Sequence, residues 1–77
     1  MKTIHTYRDY VFTIEYIPSD LEFTVDFPDF PNIITAGWTL EEAFANACEA
    51  LDLALETLRD LGREIPSPSK RIHVVTV

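Results

Sequence analysis

One long helical pattern, over residues 40–61, constrains the fold of this chain more than any other feature. Its apolar residues recur every three or four positions and form one broad stripe: Leu40, Ala43, Phe44, Ala47, Leu51, Ala54, Leu58 and Leu61. Thr39 and Glu42 match a capping box, in which each side chain accepts a hydrogen bond from the other residue's backbone N–H. Gly62 is the residue type expected just after the last turn. The sequence therefore predicts an amphipathic helix of about six turns, which has to cover an apolar surface elsewhere in the chain.

A β-hairpin upstream of the helix is predicted to supply that surface. Residues 10–17 are rich in aromatic and β-branched side chains, and residues 21–27 alternate apolar and polar side chains. Residues 18–20, Pro-Ser-Asp, have the composition of a tight turn. The apolar face of the second strand is predicted to consist of Leu21, Phe23, Val25 and Phe27.

The remaining segments complete a predicted β-β-β-α-β order. Pro28 and Pro31 indicate a corner, after which a short third strand is expected at residues 32–36. Beyond the helix, residues 64–70 read as an extended connector and residues 71–77 as a last strand, parallel to the first. The predicted fold is therefore α+β: a four-stranded mixed sheet in the order 3-2-1-4, with the helix on one face.

Composition limits the function. The chain has 77 residues, 6 Lys and Arg against 13 Asp and Glu, and a formal net charge of -7. An acidic surface repels phosphate backbones, so we expect no direct nucleic-acid binding, whereas a basic protein partner would be attracted. No signal peptide or membrane span is predicted, which favours the cytoplasm. A domain this small is only marginally stable alone, so homo-oligomerisation is expected.

Two motifs carry a resemblance to a known family. The run Phe27-Pro28-Asp29-Phe30-Pro31, followed by residues 39–51, resembles the N-terminal domain of HicB antitoxins and their stand-alone relatives. The chain departs from the family pattern at Asn32, where glycine is common, and at Trp38, where a small polar residue is usual. The resemblance covers roughly residues 10–70.

The resemblance implies a partial ribonuclease-H-like fold without nuclease activity. It also implies that the domain masks a small basic partner, the HicA toxin, which cleaves RNA. Full-length members carry a C-terminal DNA-binding module as well. We expect residues 1–77 to form a single HicB-like domain without that module.

The predicted partner-binding residues lie on two surfaces, the proline corner and the outer side of the helix. They are Asp26, Phe27, Pro28, Asp29, Phe30, Glu49, Leu53 and Glu56. The helix residues belong to an acidic ridge with Glu42 and Asp52, and such a ridge could equally be a merely solvating face. Leu53 lies away from the core stripe, and a single exposed leucine needs no functional explanation. The corner is the favoured surface, because loops and sheet edges add backbone hydrogen bonds to charge.

Two other functions are open. Glu22, Asp26, Asp29 and Glu49 are the carboxylates that a metal-dependent nuclease of ribonuclease-H type would use, but their places in the predicted elements do not favour convergence. The other alternative is a free-standing homo-oligomer without a toxin.

No catalytic, cofactor-binding or metal-binding residue is predicted. His5 and His73 have no ligand spacing. Cys48 is the single cysteine and is expected to be a small buried hydrophobe. For Trp38, packing against Ala43 at the helix start is favoured over a role as a binding anchor.

Overall fold

The computed structural model describes residues 1–68 as a four-stranded sheet with one helix packed on it. Each neighbouring pair of strands is antiparallel, and the strands follow one another in the sheet in chain order. The elements are β1 (Lys2–Tyr7), β2 (Tyr10–Ile17), β3 (Glu22–Asp26), β4 (Thr35–Gly37) and α1 (Leu40–Asp60).

The α+β class, the hairpin, the short strand before the helix and the helix itself are confirmed. The adjacency of β2, β3 and β4 also matches the prediction for the first three strands. The predicted order 3-2-1-4 of a mixed sheet is not confirmed. The edge of β2 that was assigned to residues 71–77 is occupied by β1, which runs antiparallel to it. Residues 71–77 themselves lie outside the described residues.

Strand β1 escaped the prediction because its turn lacks the usual sequence signal. Arg8 and Asp9 connect Tyr7 to Tyr10, and both have positive φ, 52° and 71°. Two-residue hairpin turns of this kind favour Asn-Gly or Asp-Gly, since glycine adopts positive φ without a steric penalty. An Arg-Asp pair adopts this turn because pairing of the flanking strands, with six aligned residue pairs, offsets its steric cost.

Two strand boundaries also differ from the prediction. Leu21 was placed on the apolar face of the second strand, but it belongs to the preceding turn, with φ of 54° and 66% exposure. Strand β4 begins at Thr35 and not at residue 32. The intervening chain makes two successive turns, with hydrogen bonds from Phe30 N–H to Phe27 O and from Ile33 N–H to Phe30 O, both 3.0 Å.

The core lies between α1 and the face of the sheet that carries the aromatic residues of β2. Phe12 and Phe27 stack with ring centroids 4.9 Å apart, and both are at most 1% exposed. Small residues bring the helix close to the sheet: a Cβ placed on Gly37 would lie 2.4 Å from the backbone nitrogen of Ala43. The buried core residues are Tyr10, Phe12, Ile14, Val25, Phe27, Phe30, Ala43, Ala47 and Leu51.

Local hydrogen bonds set the start of α1. Glu42 N–H donates to Thr39 Oγ1 at 3.0 Å, so Thr39 is the predicted N-cap. The Glu42 carboxylate accepts from Trp38 N–H at 2.6 Å, one residue before the donor of a standard capping box. The Trp38 side chain is 69% exposed, which does not fit the predicted packing against Ala43.

The end of α1 is also closed as predicted. Gly62 has φ of 67°, Gly62 N–H donates to Arg59 O at 3.1 Å, and Arg63 N–H donates to Leu58 O at 2.9 Å. These two bonds are the pair that defines a Schellman motif, which satisfies carbonyls at the end of a helix.

Candidate functional site

A shallow apolar groove of about 370 Å³ lies between the chain segment before β4 and one side of α1. Ile34 and Leu53 lie on opposite walls of the groove, and these two residues are 92% and 63% exposed. The two turns that precede β4 carry the isoleucines to this position. The apolar lining consists of Ile33, Ile34, Ala50, Leu53, Ala54 and Leu58. Exposed apolar surface next to polar residues is one feature of protein-binding sites.

Carboxylates border the groove along the helix. Glu49 and Glu56 lie four residues before and three residues after Leu53, so they flank it on the same side of α1. Both are exposed, and within residues 1–68 neither forms an ion pair. We call the groove and these two residues the acid-rimmed groove.

Asp52 does not belong to this surface, although the sequence placed it in the same ridge. Its carboxylate accepts from Arg8 Nη1 at 2.7 Å and from Tyr7 Oη at 2.9 Å. The hydrogen bonds from Arg8 and Tyr7 hold the pKa of Asp52 below its usual range. The same carboxylate raises the pKa of the Tyr7 hydroxyl. Asp52 is therefore a structural link between β1 and α1.

The proline corner contributes less side-chain surface than the sequence suggested. Asp26 and Pro28 are exposed and Asp29 is half-buried, whereas Phe27 and Phe30 are 1% and 6% exposed. The two phenylalanine side chains therefore have a packing role in the core. The accessible side chains of the corner are those of Asp26, Pro28 and Asp29.

The carboxylates of the nuclease hypothesis do not form a cluster. Glu22 and Asp26 alternate along β3 with the core-facing Phe23 and Val25, so they lie on the sheet face away from α1, which carries Glu49. Among residues 1–68, no group of three or more His, Cys, Asp or Glu is arranged to hold a metal ion.

His5 and Cys48 have packing roles in the fold. The His5 ring stacks on Phe12 with centroids 5.3 Å apart and meets the edge of Phe44 at the same distance. Its Nε2 is hydrogen-bonded to Thr3 Oγ1 at 2.6 Å. Cys48 is half-buried, and burial raises the pKa of its thiol, which disfavours the thiolate. His73 lies outside the described residues.

Sequence reasoning named Glu49, Leu53 and Glu56 as candidates but did not name the isoleucines on the opposite wall of the groove. The available signal was the pair Ile33-Ile34. Adjacent residues of an extended segment point in opposite directions, so one of two neighbouring isoleucines cannot face the core. The other missed feature, the link from Tyr7 and Arg8 to Asp52, spans 45 and 44 residues and had no sequence signal.

The fold and the acid-rimmed groove together define a small α+β domain with a surface suited to binding another protein. The chain belongs to the HicB-like antitoxin family of bacterial toxin–antitoxin systems, whose model matches residues 9–74. The resemblance inferred from the proline corner and the capped helix is thereby confirmed, and the family suggests a non-catalytic role. Strand β1 lies outside the matched region.

A curated relative agrees with this assignment. Antitoxin HicB 2 of Photorhabdus laumondii subsp. laumondii is 37% identical over 60 residues, which cover 78% of this chain and 43% of that protein. The chain thus spans less than half the length of this relative. No solved structure matches the chain, so the ribonuclease-H-like fold stays a prediction. No helix within residues 1–68 is long and apolar enough to cross a membrane.

Proposed function

We propose that this chain is a non-catalytic antitoxin-type protein that neutralises a small basic HicA-like toxin by covering its RNA-binding surface. The acid-rimmed groove carries this proposal, and membership of an antitoxin family supports it. The proposal includes self-association of the chain and a cytoplasmic location.

Binding would combine two physical effects. Apolar side chains of the toxin would enter the groove between Ile34 and Leu53 and remove exposed apolar surface from water. Glu49 and Glu56 would pair with lysines or arginines that otherwise contact RNA phosphates. The net charge of -7 would speed the encounter by long-range attraction.

The test is stopped-flow association with any small basic protein that is encoded beside this chain, over a series of salt concentrations. The double variant Glu49→Lys with Glu56→Lys should slow association at least about tenfold at low salt. The control is Asp20→Lys with Glu64→Lys, which changes net charge by the same amount at two exposed residues whose side chains make no described hydrogen bond.

Equal slowing by the two double variants would show that only overall charge matters and would remove the groove from the proposal. Asp26→Lys tests the corner in the same assay. If no small basic protein binds the wild-type chain, the toxin partner is wrong. A free-standing homo-oligomer then replaces it, an alternative favoured by the edge of β1 that is unpaired within residues 1–68.

A further inference from the structure

Strand β1 leaves a regular, unpaired edge within the described residues. Because Tyr7 and Tyr10 close a two-residue hairpin, the hydrogen bonds to β2 alternate along β1 from Tyr7. The bond from Tyr16 N–H to Met1 O, 3.2 Å long, fits the same alternation. The backbone N–H and C=O groups that point away from β2 are therefore those of Lys2, Ile4 and Thr6.

The other edge of the sheet is protected in ways that β1, within residues 1–68, is not. Strand β4 has three residues, and the carbonyl of its central residue, Ala36, accepts from Asn46 Nδ2 at 2.8 Å. Strand β1 has six residues without proline or bulge, and Ile4 is 58% exposed in its middle. A long, regular edge with exposed apolar side chains is the kind that pairs with another strand.

The distribution of charge indicates which strand pairs with the edge of β1. Residues 1–8 contain Lys2 and Arg8 but no carboxylate, in a chain whose net charge is -7. The edge of β1 is thus the stretch where two copies of this acidic protein approach with the least repulsion. Two copies meeting at the acid-rimmed groove would instead bring Glu49 and Glu56 of each together.

We propose that the edge of β1 pairs with the same edge of a second copy, antiparallel and centred on Ile4, so that the two sheets become one. In this register Ile4 lies opposite Ile4 of the second copy, and Lys2 lies opposite Thr6. About six main-chain hydrogen bonds form, and no like charges face each other. The inference rests on the self-association in the proposed function, and it leaves the groove, beside the far edge of the sheet, open.

Engineered disulfides test the register directly. In a Cys48→Ser chain, Ile4→Cys places two cysteines about 5.5 Å apart between Cα atoms, a distance suited to a disulfide. Lys2→Cys and Thr6→Cys are the matched controls, because each residue is about 13 Å from its own copy along the strand. Under oxidised glutathione at low micromolar protein, Ile4→Cys should give covalent dimer at least about tenfold faster than either control. Equal rates would overturn the register.

A backbone substitution tests the pairing itself. Ile4→Pro removes an outward N–H and leaves the hydrogen bonds to β2 in place, a position where edge strands accept proline. Sedimentation equilibrium should show a dimer dissociation constant raised about tenfold or more, since two hydrogen bonds are lost per dimer. Ile4→Thr keeps the backbone groups and should stay within about threefold of the wild type. If Ile4→Pro does not fold, the cysteine variants still decide the matter.

Several outcomes contradict the proposal. A dimer unaffected by Ile4→Pro would place the contact elsewhere. A wild-type chain that is monomeric at all concentrations would also overturn it. This holds whether or not the amide hydrogens of Lys2, Ile4 and Thr6 are protected from exchange with solvent. These measurements need no toxin, so loss of toxin binding with the dimer retained counts against the proposed function alone.

Discussion

The hydroxyl of Tyr7 donates a hydrogen bond of 2.9 Å to Asp52 Oδ2 and so joins the edge strand β1 to the middle of α1. Arg8 Nη1 donates a hydrogen bond of 2.7 Å to the other carboxylate oxygen, Asp52 Oδ1. Helix α1 packs chiefly on β4 and β3, and this link and the contact between His5 and Phe44 join β1 to the helix as well. The link holds in place the strand whose outer edge we propose to pair.

The pH dependence of stability should report this link. The folded-state pKa of Asp52 is lowered by the hydrogen bonds from Arg8 and Tyr7, so its contribution is present above the unfolded pKa and is lost as pH falls through the folded one. Asp52→Asn should therefore lower Tm near neutral pH, and the difference from the wild type should shrink toward about pH 3. Thermal melts across this range provide the measurement. A difference that stays constant with pH would contradict the role of the charge.

At alkaline pH the stabilising contribution of the same link should be lost as pH rises. The pKa of Tyr7 is raised, chiefly by its hydrogen bond to Asp52, so its contribution is present below the unfolded pKa and is lost as pH rises through the folded value. The Tm difference between the wild type and Tyr7→Phe should therefore shrink above about pH 10. Tyr16→Phe is the control, because the Tyr16 hydroxyl makes no hydrogen bond within residues 1–68 and this substitution should leave the alkaline profile unchanged.

Gly37 should tolerate no side chain. A Cβ there would lie 2.4 Å from Ala43 N and 2.8 Å from Ala43 Cα, and backbone atoms cannot move aside without shifting the helix start. Gly37→Ala should cost roughly 1–3 kcal/mol of unfolding free energy or more, measured by urea denaturation. Gly62→Ala is the comparison, because it meets no atom within 4 Å and pays only the strain of φ +67°. A smaller loss at Gly37 than at Gly62 would mean that the helix start yields easily.

Alanine substitution of two leucines in α1 should change the free energy of unfolding by very different amounts. Leu51 is 0% exposed in the core, so Leu51→Ala should lower the free energy of unfolding by roughly 2–5 kcal/mol. Leu53 is 63% exposed, so Leu53→Ala should change it by less than about 0.5 kcal/mol. Denaturant melts of both variants are the measurement. A large loss at Leu53 would show that the groove is covered in the free protein.

The helix start should behave as one coupled unit. Thr39→Ala should cost about 1 kcal/mol, because Glu42 N–H loses its acceptor. Glu42→Ala removes the acceptor of Trp38 N–H, and the losses in the double variant should be less than additive. A double-mutant cycle in urea gives the coupling energy. Strict additivity would show that the two bonds act independently.

Much of this architecture follows from local sequence. Thr39, Glu42 and Gly62 mark the helix ends because caps are made by residues within a few positions of one another. The face of β2 that meets the helix was also predictable, since side chains alternate along a strand. The capped helix and the proline corner were sufficient to identify the antitoxin family.

Tertiary structure decided the rest. A positive φ at Arg8 and Asp9, neither of them glycine, is stabilised by strand pairing and not by residue type. Strand β1, and its edge that is unpaired among the described residues, therefore had no local signal. Asp52 and Glu49 look alike on a helical wheel, yet only Asp52 meets Arg8, 44 residues away in sequence. The acid-rimmed groove likewise exists because the folded chain brings Ile34 beside Leu53, which local periodicity cannot encode.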